Sequence, residues 1–223
     1  YFSTHKISNY AWGEDYHIVI KNKLYELLNF IKQINNDING ICCVDTSPVS
    51  EKIWAQRAGI GWIGKHTNLI TREFGTWVFL GEIIVDTELK YDKPFEKDLC
   101  GTCTACIEAC PTDAIIDEYQ LDANKCISYL TIEHRDDIPK EFSDKMNNWI
   151  YGCDICQEVC PWSKKFAINS NEESFKARDF LVNNDADFLY NLSQEEYSKL
   201  FKNSAMKRTK ISGLKRNINF INN

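Results

Sequence analysis

The sequence has no long apolar run. Its best stretch, Trp77 to Val85, is broken by Glu82 and falls well short of the ~20 residues that a membrane-spanning helix needs. The charged, apolar, small-residue order of a secretory signal is also missing. The chain opens on Tyr1 rather than Met, so a piece of a longer protein, acting in the cytoplasm, is expected. Nor is there an excess of positive charge. Lys and Arg number 26 against 32 Asp and Glu, a formal net charge of −6, which excludes a general attraction to nucleic acid or anionic lipid. Low-complexity tracts are absent, and 43% hydrophobic residues in 223 exclude disorder, collagen-like repeats and coiled coil as the dominant state.

Charge and cysteine are both unevenly placed. From Lys202 to Asn223 the chain carries Lys202, Lys207, Arg208, Lys210, Lys215 and Arg216 with no acid among them, a candidate phosphate-contacting face. The alternative is a solvated helix surface.

Ten cysteines without a secretory signal pose a choice between disulfides, zinc, and iron with sulfide. Spacing decides it. Cys100, Cys103, Cys106 and Cys110, followed by Pro111, form the bacterial ferredoxin run Cys-x2-Cys-x2-Cys-x3-Cys-Pro, and Cys153, Cys156 and Cys160 before Pro161 repeat its second half. Three thiolates two residues apart wrap one face of a cubane. The cysteine after the x3 spacer starts a helix pointing away, so it serves the other cluster. Cys100, Cys103 and Cys106 therefore take Cys160, and Cys110 joins Cys153 and Cys156. Ile150 stands where a complete second run would place its first cysteine, and the isolated Cys126 replaces it. Eight thiolates then hold two [4Fe-4S] clusters. Structural zinc suits paired Cys-x2-Cys units but does not need a third cysteine and a fourth before proline. Cys42 and Cys43, inside the apolar run Ile41 to Val44, read as small buried residues of a strand.

Apolar positions Ile18, Leu24, Leu27, Leu28 and Ile31 recur at helical spacing across His17 to Ile34. A short strand at Ile41 to Val44 then feeds the turn Asp45-Thr46-Ser47-Pro48, where Ser47 caps a helix that begins at Pro48 and ends at Gly59. Strand, turn and helix together predict an α/β element with a site at the strand's end. Gly59, Gly61 and Gly64 spell G-x-G-x-x-G, yet they follow a helix rather than a strand, so a dinucleotide site is not expected. They read instead as close backbone approach to a ligand or partner. Trp77 to Val85 predicts a second strand of the same sheet, and Leu189 to Phe201 with Leu214 to Ile221 a pair of short helices.

Two clusters make a relay for single electrons, and a plain carrier needs little beyond the cluster segment. Here about a hundred residues rich in aromatics and glycine precede it, which argues for catalysis. The stretches Asp15-Tyr16-His17, Val44-Asp45-Thr46-Ser47-Pro48-Val49-x-Glu51-Lys52, Gly59-x-Gly61-Trp62-x-Gly64-Lys65 and Cys126-Ile127-Ser128-Tyr129-Leu130-Thr131-Ile132-Glu133 resemble the epoxyqueuosine reductases. So do both cysteine runs and the tail Ser204-Ala205-Met206-x-Arg208-x-Lys210-x-x-Gly213-Leu214-x-Arg216-Asn217. The resemblance covers nearly the whole chain.

It implies reductive removal of the epoxide oxygen of epoxyqueuosine at the wobble position of a tRNA anticodon, in a monomer supplied with electrons by an external donor. It also implies a base-off cobalamin without a protein histidine as lower ligand, and a mixed α+β or α/β fold in three parts. These are a cobalamin-binding α/β part over 1–95, a ferredoxin-like two-cluster part over 96–165 and a helical basic part over 166–223. By position Asp45 is the acid that protonates the departing oxygen, kept protonated by a desolvated strand end. Its bland alternative is a turn or cap residue before Ser-Pro. Asp45, His17, Lys65, His66, Ser128, Tyr129 and Cys153 are implied around the cobalamin, with Cys153 nearest. Lys207, Arg208, Lys210, Lys215 and Arg216 are implied against tRNA. Tyr129, Trp62 and Trp162 are candidates to stack on a base or corrin ring, or core aromatics. Family members begin with a further segment ahead of the residues matching Tyr1, a departure that puts cobalamin binding by this chain in question. Two other classes compete: a dehalogenase-like corrinoid enzyme acting on a small molecule, which needs no phosphate-binding surface, and an iron-sulfur electron carrier.

Overall fold

The computed structural model describes residues 5–222. Strand β1 (Lys6–Ile7) runs parallel to a strand formed 140 residues later, and helix α1 (Tyr16–Ile34) follows, capped by Asp15, whose carboxylate accepts the His17 N–H at 3.0 Å. The helix starts one residue before the apolar pattern predicts because its cap lies at Asp15. Strand β2 (Gly40–Cys43) comes next, and its Cys42 and Cys43 are buried as expected.

Helix α2 is shorter than predicted, Glu51–Arg57, with Ser50 as its cap residue. The predicted start at Ser47-Pro48 is not used. Residues 45–50 stay in tight turns closed by Thr46 N–H to Val44 O and Val49 N–H to Ser47 O, and the Glu51 carboxylate takes the Asp45 N–H. The chain leaves α2 through Gly59, at φ 78°, a backbone shape in which a side chain would be strained.

Strands β3 (Gly61–Ile63) and β4 (Leu69–Thr71) pair antiparallel, and β5 (Glu82–Val85) pairs antiparallel with β2, with Cys43 opposite Glu82. The predicted second strand is thus present in its last four residues. A Cβ on Gly61 would lie 2.1 Å from the Ile70 carbonyl oxygen, so the glycine-rich turn brings β3 against the chain's own strand β4, not against a ligand. Among the described residues the strands form two-stranded pairs, so the architecture is mixed α and β without one continuous parallel sheet.

The cluster segment contains α3 (Ala105–Glu108), the hairpin β6 (Ile115–Asp117) and β7 (Gln120–Leu121), α4 (Ile127–Ile132), β8 (Trp149–Tyr151), α5 (Ile155–Glu158) and α6 (Pro161–Phe166). Cys160 caps α6 with Pro161 at its first position, as predicted. Cys110 does not start a helix, because Pro111 leads into a turn toward the β6–β7 hairpin. Helices α7 (Asp179–Asn183), α8 (Ala186–Asn191), α9 (Gln194–Leu200) and α10 (Lys210–Asn222) complete the chain, so the predicted first short helix is two.

The cores cross the expected divisions. Ile7 and Ala11 pack with Ile150 and Tyr151 and with Leu181, Phe201, Met206 and Leu214 of the C-terminal region. Trp62 and Ile70 pack with Leu99, Cys160 and Trp162. Arg178 donates to the carbonyls of Gly13, Leu200 and Asn203, tying the entry of α1 to the C-terminal helices. That tie fixes where Asp15 and His17 stand.

Candidate functional site

Two groups of four cysteines emerge. Cys100, Cys103, Cys106 and Cys160 line one cavity of about 160 Å³, together with Lys65, His66, Leu99 and Trp162. The second group surrounds Cys156, whose thiol is pushed up to about 12, first by burial and then by Cys126, Cys106 and Cys110. Burial and the neighbouring Cys156 and Cys126 likewise raise Cys153. Cys100, Cys103, Cys106 and Cys160 share that cavity, and Cys126, Cys106 and Cys110 are close enough to Cys156 to disfavour its thiolate. Buried thiols resist ionisation unless a cation neutralises the thiolate, and iron supplies that charge. Four thiols lining one cavity suit an iron-sulfur cubane in donor chemistry and in number.

Each group has its own donors. Trp62 Nε1–H donates to Cys100 Sγ at 3.5 Å, and the buried Lys65 Nζ donates to the Gly101 carbonyl and to Glu118 Oε1, both at 2.7 Å. His66 is buried and neutral, its pKa lowered to about 4 mainly by burial. Its Nδ1 accepts the Asn68 N–H at 3.1 Å, which places the proton on Nε2, a buried atom without a partner. Lys65 and His66 therefore stand at the first cysteine cavity instead of in the larger cleft. Ser128 and Tyr129 do not line that cleft either. Their backbone N–H groups favour the thiolate of Cys126, the ligand just before them.

The larger space, about 820 Å³, is a cleft whose walls come from distant segments: Tyr16, Asp45, Lys52, Trp77, Asp154 and Gln157 are among its lining. Asp154 follows Cys153 directly, so the second cysteine group abuts the cleft. The Asp154 carboxyl, raised to about 6 mainly by burial, accepts the Ser8 hydroxyl and the Asn9 N–H, the latter at 2.7 Å. Those bonds anchor the N-terminal segment on the cysteine loop.

Asp45 stands at the cleft with φ 51°. Its Oδ2 lies 3.0 Å from His17 Nε2, and His17 Nδ1 lies 2.6 Å from Asp15 Oδ1. The sequence shows this carboxyl–imidazole–carboxyl chain only in part, since the Asp15-Tyr16-His17 motif does not by itself give Asp15 a role. Its signal was the pairing of Asp15 and His17 at a helix start. Asp45 is 51% exposed, so the expected desolvated strand end is not what surrounds it. Glu51, Lys52, Tyr16 and Asp154 are further cleft residues that the motifs left unassigned.

Of the aromatic candidates Trp62 is core, Trp162 is half-buried against it, and Tyr129 is half-buried outside the core clusters. Trp62 is buried, stacked on Phe95 and edge-on to Trp162, and Tyr129 lies near His134. The basic tail is divided. Arg216 donates to the carbonyls of Leu130, His134 and Asp136 and to Asn217 Oδ1, which occupies all five donors of a guanidinium. It is corrected from a phosphate contact to a clamp on α4. Arg208 is paired with Glu133, and Lys215 lies 5.6 Å over the Tyr190 ring. Lys202, Lys207 and Lys210 remain exposed.

Among the described residues no helix is long and apolar enough to cross a membrane. Comparison with known proteins agrees with the cysteine geometry. Residues 99–163 match the 4Fe-4S double cluster binding domain, and residues 2–46 match the epoxyqueuosine reductase QueG domain, of which residues 2–4 lie outside the described part. The chain is 52% identical to an epoxyqueuosine reductase of Leadbetterella byssophila over 98% of its own length and 71% of the relative's. It superposes with a TM-score of 0.91 and 33% identity on an epoxyqueuosine reductase crystallised with an epoxyqueuosine-modified tRNA-Tyr stem loop. It also superposes, at TM-score 0.90 and 32% identity, on the Bacillus subtilis enzyme with an aspartate catalytic loop swung out of the active site. Each superposition covers 98% of this chain and 57% of the solved one, so the chain spans a little over half the length of those structures. Identity of this extent, over more than two thirds of the Leadbetterella relative and through both cysteine runs, leaves one lineage: the chain belongs to the epoxyqueuosine reductase family.

Proposed function

We propose that this chain carries the reaction centre of an epoxyqueuosine reductase, removing the epoxide oxygen of epoxyqueuosine in the wobble position of a tRNA. Loss of that oxygen as water takes two electrons and two protons. The observation that carries the reading is that Asp45 and Asp154, the residue directly after Cys153, line one and the same cleft. An electron path and a proton donor meet there.

Cys100, Cys103, Cys106 and Cys160 would hold one [4Fe-4S] cluster and Cys110, Cys126, Cys153 and Cys156 a second, and the pair would supply single electrons taken from an external donor. The cleft, with Tyr10, Trp12, Tyr16 and Trp77 among its walls, offers aromatic faces to a corrin ring and polar side chains such as Asn9, Asn68 and Gln157 to its amides. Bound there, cobalamin supplies a low-potential, strongly nucleophilic metal centre for opening a strained epoxide. The chain's own residues handle the proton. Asp45 donates to the departing oxygen, and His17, fixed by Asp15 through Nδ1, meets the Asp45 carboxyl through Nε2 in either protonation state. That contact aims Asp45 and returns a proton to it. The swung-out aspartate loop of the Bacillus subtilis enzyme supports reading residues 45–50 as a movable catalytic loop.

Lys202, Lys207 and Lys210 are the tail cations free to meet phosphates, with Arg208 and Lys215 beside them already engaged. The test is turnover of an epoxyqueuosine-bearing stem loop by the anaerobically purified chain with cobalamin and a chemical reductant. Queuosine in the product supports the reading. Reduction of an artificial acceptor without any queuosine leaves the electron-carrier reading in its place.

A further inference from the structure

Asp45 is held in a backbone shape, φ 51°, that non-glycine residues seldom adopt. Its own N–H supplies one restraint by donating to Glu51 Oε1, where Glu51 begins α2. Behind Glu51 stands Glu82, the first residue of β5, directly opposite Cys43 in the β2–β5 pair and thus two residues from Asp45. Glu82 Oε2 is buried and meets no donor, and Glu51 is the neighbouring carboxyl that raises Glu82 beyond the effect of burial. Two neighbouring carboxylates, with one oxygen closed off from water, satisfy each other by sharing a proton.

The groups facing the pair supply no alternative donor. On the Glu51 side stand Asp45, His17, Lys52 and Tyr16. His17 is engaged between Asp15 and Asp45, and Lys52 directs its ammonium to the Thr67 carbonyl at 2.9 Å. The nearest other carboxylate, Asp45, adds to the like charge.

We infer that Glu51 and Glu82 form a proton-sharing pair that positions the Asp45 loop: with the proton in place Glu51 stays beneath the Asp45 N–H, and with both carboxyls ionised the pair parts and the loop relaxes. This rests on the reading of Asp45 as the acid. Neither glutamate touches the reacting atoms, so both are positioning residues. Burial, reinforced by Glu51, raises Glu82 to about 7, and burial raises Glu51 as well. An acid whose pKa is raised in the held state favours that state fully below its ordinary pKa, and the advantage disappears as pH rises through the raised value. The loop is therefore held at and below neutral pH and released above it.

The experiment is hydrogen exchange of the amides of residues 45–50 in the cluster-loaded chain, from about pH 6 to about pH 8, corrected for the intrinsic pH dependence of exchange. In the unmodified chain, protection falls about tenfold across that range, as loss of one shared proton requires. Glu82→Gln and Glu51→Gln each keep a permanent hydrogen on the pair, so in both the fall disappears, while Glu82→Ala is weakly protected throughout. Protection that is independent of pH and equal in the unmodified chain and Glu82→Gln would overturn the inference. Exchange also separates it from the reading on which it rests. The predicted pattern without any turnover removes Asp45 from the acid role and leaves the pair standing. Turnover with flat protection, and with an alkaline fall in kcat that Glu82→Gln does not flatten, removes the pair alone.

Discussion

Side chains from the distant β3 segment border the first cysteine group, whereas the second is served by backbone N–H groups and the buried Thr112 hydroxyl close by in sequence. Trp62 reaches Cys100, Lys65 holds Gly101, and His66 turns a buried face to the first cavity. In the second group Ala114 N–H donates to Cys110 Sγ at 3.3 Å, Cys126 is supported by the N–H groups of Ser128 and Tyr129, and Cys153 by that of Ile155. Cys153 also packs against the core of Ile127, Leu130 and Trp149. Nearly the same spacing thus yields one site whose surroundings are set by replaceable side chains and one insulated by main chain and burial. The insulated one adjoins the cleft.

The largest expected effect breaks the second group. Cys126→Ser removes its only ligand from outside the two runs, and iron and sulfide per chain fall to about half with the first cluster's reduced spectrum retained. Iron and sulfide analysis beside electron paramagnetic resonance checks this, and unchanged iron would show that Cys126 is no ligand. Next in size, Asp45→Asn leaves both clusters intact and lowers single-turnover rates by about 10²–10⁴-fold. A variant that turns over normally would take the proton donor elsewhere.

Arg216→Ala sharpens the contrast from the scaffold side. Its guanidinium bonds the Leu130 and His134 carbonyls at the end of α4, the helix that Cys126 introduces. Unfolding in denaturant should show a loss of about 2–4 kcal/mol, with the second cluster lost at lower denaturant than the first. The smallest effect is Trp62→Phe. Removing the N–H donated to Cys100 lowers the midpoint potential of the first cluster and leaves the second unchanged in a redox titration. A shift in both clusters would mean that the two sites are not separately tuned.

Much of the cysteine grouping was legible because ligand spacing is a local, one-dimensional constraint, and even Cys126 followed from the gap at Ile150. The surroundings were not. The family resemblance implies Lys65 and His66 at the cobalamin, yet β3 and β4 pair tightly and turn that segment to the first cysteine cavity. Arg216 looked like one more tail cation, and only the packing of α10 on α4 reveals the carbonyls that occupy it. The helix start at Ser47-Pro48 was read from cap chemistry, but a longer-range bond from Glu51 to the Asp45 amide holds those residues as a loop. Side chains that converge from distant segments, such as Asp154 and Asp45 on one cleft, carry no sequence signal of their convergence.

The central claim is that electrons from the second cysteine group and a proton from Asp45 meet at cobalamin in one cleft. Electron paramagnetic resonance of the anaerobically purified chain with added cob(II)alamin, alongside iron and sulfide analysis, tests it most directly. The account predicts two clusters per chain and a cobalt signal converted to the base-off form. Two clusters with an unperturbed cobalt signal would contradict it.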